Sequence, residues 1–63
     1  MEISVKAARI NAGYTQKGAA NELNISKNTL ASYENYRTIP DIDMAQRIAT
    51  LYGMSVNSIK WSA

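Results

Sequence analysis

The sequence contains no cysteine and no histidine. Their absence excludes disulfides, thiolate nucleophiles, imidazole acid–base chemistry and the usual zinc ligands. No apolar run is long enough to span a bilayer, and no charged segment followed by an apolar one marks a secretory signal. With 63 residues the chain reaches about half the usual domain length. We therefore expect one cytoplasmic domain over residues 1–63, with no enzymatic activity, metal, cofactor, small-molecule substrate or membrane contact.

Positive charge is concentrated in the first two-thirds of the chain. The formal net charge is only +2. The segment from Lys6 to Arg37 holds five basic and two acidic residues, whereas the two signs balance from Asp41 onward. Such a bias would suit a polyanionic partner, although a solvated surface with a chance excess of cations explains the charge alone equally well.

Apolar residues recur at spacings of three and four throughout, and no segment alternates long enough to indicate a strand. The pattern predicts an all-α fold of five helices, four of them over residues 3–12, 16–23, 27–35 and 42–52 and a fifth capped by Ser55. The predicted inward-facing residues are Val5, Ala8, Ala12, Ala19, Ala20, Leu23, Leu30, Tyr33, Ala45, Ile48, Ala49 and Tyr52. Thr15, Ser26 and Asp41 are predicted N-caps.

The segment from Gln16 to Tyr33 has the features of a helix-turn-helix. A turn of about three residues would join its two helices at a steep angle, which requires a small residue at the crossing and a residue that tolerates positive φ in the turn. Ala20 and Asn24 meet these requirements. Generic helical hairpins share part of this pattern.

The outward face predicted for the third helix is short, polar and free of acids. It carries Lys27, Asn28, Ala31 and Ser32. Asn can pair with adenine and Lys can donate to guanine, while Ala and Ser leave room for a thymine methyl or a water. DNA reading is the favoured interpretation; the alternative is a plain exposed helix with small side chains.

Taken together, these residues resemble the Cro/repressor-type (Xre-like) helix-turn-helix family of phage and bacterial regulators. The matching pieces are Ala7-Ala8-Arg9, residues 11–16, Ala20, Ile25-Ser26, Leu30, residues 33–35, Arg37, Pro40, Ile48-Ala49 and residues 52–56. The resemblance implies a compact five-helix, lambda-repressor-like bundle whose third helix enters the major groove.

The resemblance also implies roles for individual residues. Lys27, Asn28 and Ser32, with Ala31 beside them, occupy base-reading positions. Thr15, Gln16, Lys17, Asn35 and Arg37 occupy phosphate-contacting positions, and Gln16 also supports the reading helix. Arg9 and Glu34 match a structural ion pair worth about 0–1 kcal/mol if it is partly exposed.

Two turn positions depart from the family pattern. Tyr36 stands where the family usually has Gly, so the loop must take another shape or strain a bulky residue. Asn24 also replaces a Gly, which is a smaller departure because Asn tolerates positive φ.

The resemblance implies a sequence-specific regulator, of phage or prophage repressor type, that binds a two-fold symmetric double-stranded DNA operator as a homodimer. Ile39, Met54 and Trp61 are candidates for a dimer surface, although Met54 and Trp61 fit the core equally well. An antitoxin-type or adaptor protein-binding module on the same fold is the alternative, because a fold does not fix a function.

Overall fold

The computed structural model describes residues 2–63. In chain order the elements are strand β1 (Ile3–Ser4), helices α1 (Val5–Asn11), α2 (Gln16–Leu23), α3 (Lys27–Glu34) and α4 (Ile42–Leu51), a 3₁₀ turn (Val56–Ser58) and strand β2 (Ile59–Lys60). The mostly helical class and the helix-turn-helix arrangement of α2 and α3 are confirmed.

The predicted count of five helices is wrong. The chain after Ser55 forms a single 3₁₀ turn and then β2, which pairs in parallel with β1 so that Ile3 aligns with Ile59. Helix α1 begins at Val5 rather than at residue 3, because Ser4 is its N-cap and its hydroxyl accepts the backbone N–H of Ala7 at 3.0 Å. A two-residue strand is too short for apolar alternation to reveal it.

The predicted N-caps of α2, α3 and α4 are all present. The hydroxyls of Thr15 and Ser26 each accept a backbone N–H three residues later at 3.0 Å, and the carboxylate of Asp41 does the same at 2.8 Å. Each cap satisfies one of the backbone donors that the first helical turn leaves without a partner.

The core lies where the four helices meet the strand pair. The predicted inward-facing residues that are buried are Val5, Ala8, Ala19, Ala20, Leu23, Leu30, Ala45, Ile48, Ala49 and Tyr52. Ala12 and Tyr33 are only half-buried at its edge. Ile59, predicted to belong to a fifth helix, is also buried, and it lies opposite Ile3 in the strand pair.

All four helices end with the same backbone geometry. Within two residues of the end of each helix the chain passes through one residue with a positive φ; these residues are Gly13 (84°), Asn24 (59°), Tyr36 (58°) and Gly53 (70°). Of the two alternatives that the sequence left open, a different loop shape or a strained bulky residue, the structure shows the second. The turn has the same backbone shape as the others, and Tyr36 is strained at its positive-φ position. Left-handed backbone costs roughly 1–2 kcal/mol for such a residue.

Candidate nucleic-acid interface

Helix α2 begins with three residues predicted to contact phosphate. The cap residue Thr15 and its neighbour Lys17 are exposed, while Gln16 is half-buried. The start of a helix carries partial positive charge, which favours an anion near this end of α2.

Helix α3 presents the predicted base-reading residues to different degrees. Lys27 and Asn28 are exposed on its first turn, while Ala31 and Ser32 are half-buried. Leu30 on the opposite side is completely buried and fixes the rotation of the helix. The predicted reading face is therefore most accessible to solvent at its N-terminal end, where its longer polar side chains lie.

The turn after α3 carries the remaining predicted phosphate contacts. Asn35 is the C-cap of α3, and both Asn35 and Arg37 are exposed. The backbone N–H of Arg37 donates to the carbonyl of Ser32 at 2.9 Å, so the backbone at Arg37 is attached to the last turn of α3.

Arg9 and Glu34 form the ion pair that the family resemblance implies. Arg9 Nε donates to Glu34 Oε2 at 2.7 Å and its Nη2 to Oε1 at 3.4 Å, while Nη1 donates to the carbonyl of Tyr14 at 2.9 Å. The two side chains are only 10% and 4% exposed. The contribution of about 0–1 kcal/mol expected for a partly exposed ion pair therefore does not apply here. Because both side chains are buried, loss of either one would leave the charge of the other uncompensated in the interior.

Gln16 joins this network in a way that periodicity alone could not reveal. Its Nε2 donates to Glu34 Oε1 at 3.1 Å, so one carboxylate connects the start of α2, the end of α3 and α1. This contact gives Gln16 the supporting position that the resemblance implies, and its contact with phosphate remains a prediction.

Within residues 2–63 the Arg9–Glu34 contact is the only ion pair. Lys17, Lys27 and Arg37 are exposed, and none of these cations has an acidic partner in the described chain. Exposed cations without acidic partners attract a polyanion and raise its rate of association.

Tyr52 lies beside this network in the core. Its hydroxyl is buried and has no hydrogen-bond partner in the part of the chain that the structure describes. Burial, reinforced by the negative charge of Glu34, raises the pKa of Tyr52 to about 12. Its ring is tilted at 42° to that of Tyr14, with the centroids 6.0 Å apart.

The three candidate dimer residues divide into two groups. Met54 and Trp61 are half-buried against the core, and the Trp61 indole N–H donates to the carbonyl of Val56 at 2.9 Å. Ile39 is 65% exposed. Ile42, which the sequence did not single out, is 68% exposed at the first position of α4, so two exposed isoleucines lie three residues apart in the sequence where the loop meets α4.

No group of three or more acidic, histidine or cysteine side chains in residues 2–63 is arranged to hold a metal ion. None of the helices in this range has the length and hydropathy needed to cross a membrane.

Comparison with known proteins agrees with the helix-turn-helix arrangement of α2 and α3. A family model described as "Helix-turn-helix" matches residues 5–59. The HTH-type transcriptional regulator ImmR of Bacillus subtilis (strain 168) is 45% identical over 53 residues, which cover 84% of this chain and 42% of ImmR. This chain therefore spans less than half the length of that relative. The match over α1 to β2, together with the arrangement of α2 and α3, shows that the chain belongs to the helix-turn-helix family.

Proposed function

We propose that this chain is the DNA-binding part of a transcriptional regulator and that α3 reads base edges in the major groove. The observation that carries the proposal is the exposure of Lys27 and Asn28 on a helix face without acidic residues. The name of the similar ImmR protein, a transcriptional regulator, supports the same function. The resemblance to Cro and repressor proteins favours a repressor of phage or prophage type, acting in the bacterial cytoplasm.

Different side chains would supply affinity and specificity. Thr15, Gln16 and Lys17 would contact phosphates from the start of α2, and Asn35 and Arg37 would do so from the turn after α3. Phosphate contacts fix the position of a protein on the duplex but carry no sequence information.

Specificity would come from the exposed end of α3. The Asn28 amide suits a bidentate contact with adenine and the Lys27 ammonium suits guanine. Ser32 and Ala31 lie deeper, where their small size allows a base or a water to approach closely.

A single domain of this size would bind weakly, because it neutralises few phosphates. We propose that two copies bind a two-fold symmetric operator, with their reading helices about 34 Å apart. Ile39 and Ile42 are the exposed apolar residues on which the homodimer contact would depend. Sedimentation of the wild type and of an Ile39→Asp, Ile42→Asp double variant tests whether a homodimer depends on these two residues. Equal sedimentation of both proteins at high concentration would exclude a dimer contact through them.

The alternative of an antitoxin-type or adaptor module predicts an exposed apolar patch on α3. In the described chain the exposed large hydrophobic residues are Ile10, Ile39 and Ile42, and none of them belongs to α3. The chemistry of α3 therefore favours DNA over an apolar protein surface.

The decisive experiment is a selection of bound duplexes from a random pool at moderate salt. We expect an enriched motif whose half-site spacing reports the dimer geometry. The Lys27→Ala, Asn28→Ala double variant should lose the motif, while Lys6→Ala, which removes an exposed cation from α1, should keep it. A wild-type selection without any enriched sequence would overturn the proposal.

A further inference from the structure

The turn after α3 has the hydrogen bonds of a Schellman motif, a common helix ending with two backbone bonds. The N–H of Tyr36 donates to the carbonyl of Tyr33 at 3.2 Å, and the N–H of Arg37 donates to that of Ser32 at 2.9 Å. Equivalent pairs of bonds close α1, α2 and α4. The backbone is therefore the same at all four helix ends, and the side chains can be compared directly.

The first difference at α3 is the residue at positive φ. Two of the other three helices use glycine there and one uses asparagine, whereas α3 uses Tyr36 at φ 58°. Bulky residues in this backbone region are strained and persist only where their surroundings hold them.

The second difference is the residue that follows. In the other three turns this residue is half-buried and packs against the core; the three are Tyr14, Ile25 and Met54. Such an apolar contact commonly accompanies the motif and fixes the direction of the chain. After α3 the corresponding residue is Arg37, which is exposed and cannot anchor the turn in this way.

Tyr36 supplies the missing anchor itself. Its ring is half-buried against the core, and its hydroxyl donates to the carbonyl of Lys60 in β2 at 3.0 Å. The strained residue thus connects the turn to the strand pair on a different part of the fold. A glycine at this position would keep the backbone bonds without strain but would provide neither contact.

We propose that Tyr36 is a positioning residue that holds the turn so that Arg37 can remain exposed and contact a DNA phosphate. This role rests on the proposed DNA-binding function and acts through Arg37. An anchored turn reduces the conformational freedom that Arg37 must lose when it binds, and such preorganisation increases affinity.

The test measures duplex affinity across a range of salt concentrations, with the selected duplex or a random pool of duplexes as the probe. Arg37→Ala should weaken binding and make the slope of log K against log salt shallower by about 0.9, the value for one phosphate. Tyr36→Gly should weaken binding by about 2- to 10-fold, the range expected for one side chain that is no longer held in place. Tyr36→Phe, which loses only the bond to Lys60, should fall between Tyr36→Gly and the wild type.

A double-mutant cycle distinguishes this role from a purely structural one. In an Arg37→Ala background, Tyr36→Gly should have no further effect on affinity, because the side chain through which it acts is gone. Titrations are run at a temperature at which circular dichroism shows every variant to be folded. Tyr52→Phe is the matched control, since it removes a tyrosine hydroxyl that is buried and has no partner.

Wild-type affinity and salt slope in both Tyr36 variants would overturn the proposal. Equal losses from Tyr36→Gly with and without Arg37 would also overturn it, as would unchanged binding in Arg37→Ala. In each of these cases the wild type still binds DNA, so the proposed function stands. A wild type that binds no duplex at any salt concentration would instead refute the proposed function and, with it, this role.

Discussion

Replacing Glu34 with alanine should remove most of the stability of this domain. The change deletes both bonds from Arg9, at 2.7 and 3.4 Å, and the bond from Gln16 at 3.1 Å. The Arg9 side chain, which is only 10% exposed in the wild type, keeps the carbonyl of Tyr14 as its remaining acceptor. Removing one partner of a buried ion pair costs about 3–5 kcal/mol.

This loss is large compared with the total stability expected for so short a chain. At roughly 0.05–0.15 kcal/mol per residue, a domain of this length has about 3–9 kcal/mol to lose. A change of 1 kcal/mol shifts the midpoint temperature of a small domain by about 4–8 °C. Glu34→Ala should therefore lower Tm by tens of degrees, or leave the chain largely unfolded at room temperature.

Urea denaturation followed by far-ultraviolet circular dichroism measures the effect. Glu22→Ala is the matched control, because Glu22 is exposed on α2 and forms no ion pair within the described chain; its effect should lie within about 0.5 kcal/mol of zero. The double variant Arg9→Met, Glu34→Leu should recover much of the loss, since it leaves no buried charge unpaired. A loss below about 1 kcal/mol for Glu34→Ala would refute the reasoning, because that is the range of exposed pairs.

Three further outcomes are expected. Asn28→Ala should lower discrimination at one base pair by about 1–3 kcal/mol without changing Tm, and an unaltered motif in a duplex selection would contradict its assignment. Gln16→Ala should weaken binding to all duplexes by a similar factor in a filter or anisotropy titration, and a loss confined to one operator would argue against a phosphate contact. Because the pKa of Tyr52 is raised from 10.0 to about 12 in the folded state, folding favours its neutral form. Its contribution is therefore complete below about pH 10 and is lost as the pH rises toward 12. Tyr52→Phe should be at least as stable as wild type near pH 7 and should lose less stability in urea titrations between about pH 9 and 11; equal losses would show that Tyr52 does not titrate as expected.

The features predicted correctly from the sequence are those that depend on neighbouring residues. The caps Thr15, Ser26 and Asp41 bond to backbone only three residues away, so the local order of side chains is sufficient to identify them. The inward stripe of α4 follows from spacing alone for the same reason. The helix boundaries of α2 agree with the prediction because its cap and its positive-φ residue, Asn24, both leave a signal in the sequence.

The features that the sequence did not reveal depend on residues far apart in the chain. The pairing of Ile3 with Ile59 joins opposite ends of the domain, and neither segment carries enough residues to indicate a strand. The bonds from Gln16 to Glu34 and from Tyr36 to Lys60 likewise depend on how separate elements meet. The family resemblance identified Tyr36 as unusual, but the tertiary contact that holds it could be found only in the structure.

The parallel pairing of β1 with β2 has a consequence for protein engineering. Because the first and last elements of secondary structure lie side by side, the chain enters and leaves the domain at the same edge. Such closeness generally allows a domain to be inserted into a surface loop of a host protein without stretching either one. Removing Ile3 from one end of the chain, or Lys60 from the other, would disrupt one strand and leave the second strand without a partner. Truncation at either end should therefore damage the same part of the fold.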